Sequence, residues 1–335
     1  MRPSLCGYNA QSSAAGAGDV KKLILFHRNY KGFQGGHLKV WNYFTHALDS
    51  EVYRPMIRFS YSSVWDESNP WSAVRNLVIG QSDAVAPDAL FIAGLDWLMI
   101  GQDKRQTSPV PVVNFIQHVR HSDPGEELYS FLEYKAVRIC VSEEVASAIH
   151  GTGRVNGPVF SIPNGIDIQG LDLSRPAAHY RSDVLIAGLK NPAMAVKLAK
   201  SLESPGRRVV CLSSSLPRAE YLRNVAEARV TVFLPHRVEG CYLPPLEGMW
   251  LGTLVVCPEG IGTSYCRAGY NCVRPEYRES AILNAVNTAL HLSEAEAVKM
   301  RAHGLETLQI HDIMKEKIAF LNILANLDYL WRHHR

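Results

Sequence analysis

The sequence predicts an α/β protein of two doubly wound, Rossmann-like domains, each a parallel sheet with helices on both faces. Three observations carry this. Short β-branched or apolar runs alternate with amphipathic segments, the alternation falls into two successive series, and a polar, breaker-rich stretch at 169–182 (QGLDLSRPAAHYRS) separates them. Successive β-α units return the chain to the same end of a sheet, so their strands run parallel.

The first series opens with Lys22 to His27 (KLILFH), a buried-strand pattern, then a Gly-containing loop at 29–36 and a helix over 37–49. In that helix Leu38, Trp41, Phe44 and Leu48 recur at helical spacing. Further strands are predicted at 89–93, 110–117, 137–141 and 159–162, with helices over 124–134 and 142–149, the latter capped by Ser142. The second series reads strand 184–188, helix 192–202, strand 208–212, helix 220–227 and strand 230–234. A loop, a helix from Pro244, a strand at 254–257 and a long helical tail from Arg278 follow. Within the tail, Ile313, Lys317, Phe320, Leu321, Leu324, Leu327 and Leu330 form a largely helical stripe over 312–332, with Asp312 as N-cap and Glu316 soon after. The expected organisation is a leader at 1–20, a first domain at 21–170, a second at 171–311 and a terminal helix at 312–335. Two such domains imply a cleft between the carboxyl ends of their sheets, where open α/β sheets bind ligands.

Composition narrows the classes. With 335 residues, 47% hydrophobic and 20% charged, the chain is globular and long enough to need no disulfide staples. Its apolar runs fall short of the ~20 residues that span a bilayer, so no integral membrane span is expected. A net charge of +3 lacks the dense basic footprint of a dedicated DNA binder. The seven cysteines are scattered without a C-x-x-C pair, and the leader is Ser/Ala/Gly-rich without an apolar core. The expectation is a reduced cytoplasmic protein, at most peripheral to a membrane, with no structural zinc.

The segment richest in chemistry is 234–256 (LPHRVEGCYLPPLEGMWLGTLVV). Glu239 sits in a loop after a strand and Glu247 in the first turns of a helix whose start is set by Pro244 and Pro245. Prolines cannot donate, so free amides must come from Gly240, Cys241, Tyr242, Leu243 and Leu246. That makes a loop-to-helix anion site suited to a diphosphate. Glu247, one turn in, can accept hydrogen bonds from a diol such as a ribose. The same spacing also fits an ordinary βα loop with a capping acid. Residues 27–39 (HRNYKGFQGGHLK) mix cations and aromatics around Gly35 and Gly36, ending in His37. They fit an anionic or stacking acceptor, or a solvated loop.

E-G-x-x-L-P-P-L-E-x-M-x-x-G-T-x-V-V resembles the donor-site signature of retaining GT-B glycosyltransferases, most closely glycosyltransferase family 4. Gly35-Gly36 resembles that family's N-terminal glycine loop, Cys140-Val-Ser-Glu-Glu its strand-to-helix step, and P-N-G-I-D (163–167) its segment before the linker. The resemblance spans about residues 22 to 325. It implies a GT-B fold with an interdomain cleft, and a terminal helix that returns to the N-terminal domain. It implies Glu247 on the donor ribose, and Glu239 with the Gly240–Leu243 amides facing sugar and diphosphate. It also implies Lys190, after the strand ending at Gly188, as the cation against the leaving diphosphate. His118 at the end of its strand would shape the sugar site, with His121 as the second choice. No cofactor is implied; the co-substrate would be a UDP- or GDP-sugar. No D-x-D metal motif is present, which agrees with a metal-independent reaction.

Three departures stand out: Leu189 precedes Lys190 where the family has Arg, Tyr242 replaces a glycine beside the diphosphate, and the helix carries Gly248 and Trp250. The function expected is a metal-independent retaining transferase acting on a hydroxyl of a saccharide, lipid-linked glycan or small molecule. Two alternatives stay open. One is transfer to a hydroxylated base in DNA, motivated by the basic–aromatic loop and the terminal W-R-H-H-R (331–335). The other is a nucleotide-sugar-binding subunit without transfer activity, motivated by Leu189 and Tyr242. A sugar epimerase of related fold is a third.

Overall fold

A computed structural model describes residues 20–32, 34–167 and 180–333. Residues 1–19 of the leader, residue 168 and residues 169–179 of the linker stretch lie outside the described residues, as do the last two of W-R-H-H-R. The first series forms β1 (Lys22–Arg28), α1 (Gly35–Leu48), β2 (Tyr53–Phe59), β3 (Val78–Ile79), β4 (Ala89–Ala93) and α2 (Gln102–Gln106). It continues as β5 (Val112–Ile116), α3 (Glu127–Ser130), β6 (Val137–Cys140), α4 (Glu143–His150) and β7 (Val159–Ser161). These strands make one parallel sheet in the order β3-β2-β1-β4-β5-β6-β7.

The second series forms β8 (Ser182–Ala187), α5 (Pro192–Leu202), β9 (Val209–Leu212), α6 (Arg218–Ala226), β10 (Ala228–Phe233), α7 (Pro244–Leu251) and β11 (Leu254–Val256). Its parallel sheet has the order β11-β10-β8-β9. The chain ends in α8 (Glu279–His291), α9 (Glu294–Leu308), α10 (Ile313–Ala325) and α11 (Leu327–His333).

Both sheets are doubly wound, because successive residues of a strand feed opposite cores. In β1, Ile24 and Phe26 pack with α1 and α4, while Leu25 packs with Trp97 and Phe131 on the other face. In β8, Leu185 and Ala187 meet α6 and α7, while Val184 and Ile186 meet α5 and α8.

Several elements differ from expectation, β3 and α2 among them, which have no counterpart in the sequence reading. The sequence reading has no strand over 53–59, where Pro55 interrupts a weak alternation. β2 forms there, and Pro55 is tolerated because two-residue β3 pairs only with Ile57 and Arg58, leaving that end of β2 an edge. The helix expected over 124–134 is one short turn, Glu127–Ser130, followed by a 3₁₀ turn. The helical tail is broken where Ser293 and Glu296 form a capping box, and again at Asn326.

Asp312 caps α10 by accepting from the Met314 amide at 2.7 Å. The buried face of α10 and α11 enters the first domain's core: Phe320 meets Tyr43 edge-on at 4.8 Å, and Ile323, Leu324 and Leu327 join the same cluster. The chain therefore crosses between domains twice, and the crossings touch. Ile166 N donates to His311 O at 2.9 Å, and a Cβ on Gly165 would lie 2.5 Å from Ile313 Cα. Glu316, on α10, is no capping residue. It is buried in an ion pair with Lys39 of α1 and accepts from the Gly165 amide at 2.5 Å and His46 Nε2 at 3.1 Å.

Candidate active site

Each sheet has one point where strand order reverses, between β1 and β4 in the first and between β8 and β10 in the second. The carboxyl ends at these points face each other across a cleft of about 750 Å³.

On the first-domain side, Arg28 ends β1. Its Nη1 donates to Asp96 Oδ2 at 2.7 Å and its Nε to His37 Nδ1 at 2.9 Å. Burial, then the Arg28 charge, lowers the His37 pKa to about 4, so the ring is neutral near pH 7. Gly36 abuts Gln117: the Gln117 Nε2 donates to Gly36 O at 3.0 Å, and a Cβ on Gly36 would lie 2.8 Å from Gln117 Oε1. Gly35 faces open space.

His118 follows β5. Its Nδ1 accepts from the Arg120 amide at 3.1 Å, which leaves Nε2 as the donor to Val238 O at 3.3 Å, across the domain boundary. Burial, then the Arg120 charge, lowers its pKa. His121 is buried behind the cleft wall and does not line it.

On the second-domain side, Lys190 projects from the loop after β8 with Nζ 3.2 Å from Glu239 Oε1. The same oxygen accepts from the His236 amide at 3.1 Å. Glu247 is buried at the start of α7, where Oε1 accepts from Arg218 Nη2 at 2.7 Å. Arg218 is missing from the sequence reading. It opens α6 with no motif around it, and only its place opposite Glu247 identifies it.

Three expectations need correction. Of the five amides, Tyr242 N is spent on Gly262 O and Leu246 N on Leu243 O, both at 2.9 Å. Those of Gly240, Cys241 and Leu243 have no hydrogen-bond partner among the described residues. The Tyr242 ring is buried in the second domain's core. Gly188 is a packing glycine outside the cleft lining, since a Cβ there would lie 2.1 Å from Ala195 Cβ. Gly240 is small because of the other domain: its Cβ would fall 1.6 Å from Gln117 O. Cys241 packs beside the first domain's core, and burial pushes its thiol up to about 12.

The class this architecture defines is GT-B: two Rossmann-like domains facing across one cleft, with the chain's last helix returned to the first. The solved structures it resembles are of that fold. HepE from Anabaena, in complex with UDP and glucose, superposes with a TM-score of 0.70 at 12% identity over 91% of this chain and 100% of that one. Sucrose-phosphate synthase from Thermosynechococcus elongatus gives 0.69 at 13% over 92% and 100%. An α,α-trehalose-phosphate synthase (UDP-forming) from Burkholderia vietnamiensis gives 0.62 at 12% over 92% and 100%. No protein-family model matches the chain, and no curated protein matches it in sequence. Among the described residues, no helix is long and apolar enough to cross a membrane.

Proposed function

We propose that the protein is a retaining, metal-independent glycosyltransferase that moves a sugar from a UDP-type donor to a neutral hydroxyl acceptor. One observation carries the reading: Lys190, Glu239 and the Arg218–Glu247 pair meet His118 of the other domain in a single cleft. The HepE structures, which hold UDP and UDP-glucose, support a uridine donor over other bases.

The diphosphate would lie on the amides of Gly240, Cys241 and Leu243 and the amino end of α7. There its charge competes with Glu239 for Lys190. The ammonium moves to the departing oxygen, which it stabilises, and the freed Glu239 carboxylate accepts from sugar hydroxyls. Glu247, aligned by Arg218, accepts from the ribose. The acceptor oxygen attacks the anomeric carbon on the face the phosphate leaves. The sugar–phosphate bond breaks and the acceptor's proton passes to the phosphate oxygen, which retains the anomeric configuration. The work is positioning and electrostatics.

Charge pairing in the lining favours a saccharide, lipid-linked glycan or small molecule over DNA. Arg28 pairs with Asp96, Lys39 with Glu316, Lys190 with Glu239 and Arg218 with Glu247. Arg120 is left, in solvent, 3.9 Å from Glu126. A strand of phosphates needs a track of uncommitted cations.

A thermal-shift series with UDP-, GDP-, ADP- and TDP-sugars tests the donor. UDP-glucose at a hundredfold excess over Kd should stabilise the protein by about 2.7 kcal/mol. No response to any nucleotide sugar would refute the reading, and binding without turnover on a broad acceptor panel would identify a binding subunit instead. Transfer should also survive exhaustive EDTA treatment, because Lys190 supplies the cation; loss of activity restored by Mg²⁺ or Mn²⁺ would show that a metal does. Glu247→Ala should weaken donor binding by roughly 2–3 kcal/mol, as expected for hydrogen bonds to a charged group. Calorimetry with UDP reads this directly, and unchanged affinity would remove Glu247 from the ribose site.

A further inference from the structure

The loop carrying Glu239 belongs to no helix or sheet. Its backbone is splinted by residues 260–262. Ile261 N donates to Arg237 O at 3.1 Å, Glu239 N to Ile261 O at 3.1 Å, and Tyr242 N to Gly262 O at 2.9 Å. Gly262 has φ +82°, and a Cβ there would lie 2.7 Å from Glu239 O and 3.0 Å from Glu239 Cβ. The height of Glu239 in the cleft is therefore set by where Gly262 sits.

Gly262 is held in turn by the other domain. Its amide donates to Glu144 Oε2 at 3.2 Å, and Glu144 stands in the first turn of α4. Two residues earlier, Ser142 Oγ donates to Gly240 O at 3.2 Å while also capping α4. The amino end of α4 thus grips both the donor loop and its splint. We propose that Glu144 is a positioning residue of the donor site: by holding the Gly262 amide across the domain boundary, it sets Glu239 against His118. The proposal rests on the transferase reading above.

The geometry gives this contact a specific office. Glu247 and Arg218, which would hold the nucleoside, lie within the second domain and are independent of Glu144. The Glu144 contact exists only while the two domains are apposed. It therefore governs the placement of the sugar against the acceptor and leaves nucleotide capture alone. A carboxylate accepting from an amide is a charge-assisted bond, stronger than a neutral one. A glutamine can keep its acceptor oxygen, and an alanine cannot.

Hydrogen exchange by mass spectrometry on the ligand-free full chain tests the contact, and kinetics with UDP-glucose test its use. In Glu144→Ala, the peptides covering 237–243 and 258–265 should exchange about tenfold faster. Its kcat should fall about tenfold or more while UDP affinity by calorimetry stays within about twofold. Glu144→Gln should recover most of kcat. Unchanged exchange in Glu144→Ala overturns the proposal whatever the protein's activity. So does an unchanged kcat, or a parallel loss of kcat and UDP affinity that glutamine does not rescue. Faster exchange in a protein whose wild type neither binds UDP nor turns over would leave the splint standing and overturn the transferase reading, and with it the catalytic office of Glu144.

Discussion

Gly240→Ala is expected to reduce transfer by about a hundredfold or more while leaving nucleotide binding nearly intact. The added Cβ would fall 1.6 Å from Gln117 O, 2.6 Å from Gln117 C and 3.0 Å from His118 Cα. These are backbone atoms at the end of β5 and cannot swing aside as a flexible side chain would. The clash is relieved only by parting the domains or deforming the loop that carries Glu239. Either route pulls Val238 O from His118 Nε2, a contact of 3.3 Å, and moves Glu239 away from the first-domain wall. A displacement of about 1 Å at a reacting centre costs on the order of a hundredfold in rate. Glu247 and Arg218, proposed above to hold the nucleoside, sit within the second domain and keep their 2.7 Å contact. Steady-state kinetics beside UDP calorimetry measure the split. Wild-type kcat in Gly240→Ala would mean that the domains do not approach this closely during transfer.

Glu316→Ala should destabilise the protein by about 3–5 kcal/mol, the cost of leaving one member of a buried pair unpaired. Lys39 is 2% exposed and Glu316 1%. With the carboxylate gone, the ammonium keeps the Gly165 carbonyl at 2.9 Å, and no counter-charge remains in its pair. The Gly165 amide and His46 Nε2 lose their acceptor as well. Because these groups join α1, the loop before the linker and α10, the loss should also loosen the crossing of the two interdomain connections. The double substitution Lys39→Met with Glu316→Leu should recover the part of the stability lost to the unpaired ammonium, while the Gly165 amide and His46 Nε2 stay without their acceptor. Urea unfolding of the three proteins reads both effects. A single substitution costing under about 1 kcal/mol would show that water reaches Lys39.

What was legible in the sequence was short-range. The strand at 89–93 and the helix at 192–202 form with the expected bounds, because a continuous apolar run or a proline-led amphipathic segment is specified by neighbours along the chain. Ser142 and Asp312 cap the helices they precede for the same reason. Glu239 and Glu247 stood out because they flank the helix start set by Pro244 and Pro245, Lys190 and His118 through the family resemblance, and all four line the cleft. β2 escaped notice because its tolerance of Pro55 depends on how short β3 is, a property of a different strand.

By itself, then, the sequence determined two wound sheets and the residues at their carboxyl ends. The tertiary structure alone decided what those residues touch. Arg218 meets Glu247 from 29 positions away, Arg28 meets Asp96 from 68, and Lys39 meets Glu316 from 277. It also decided that Gly240 serves the apposition of the domains and that the Tyr242 ring fills a core. The physical reason is the range of the forces involved. Hydrophobic periodicity, proline geometry and capping act over one or two turns of chain and leave a local trace. Ion pairs and steric contacts between domains arise only where the folded backbone brings distant segments together, and no pattern of neighbours records them.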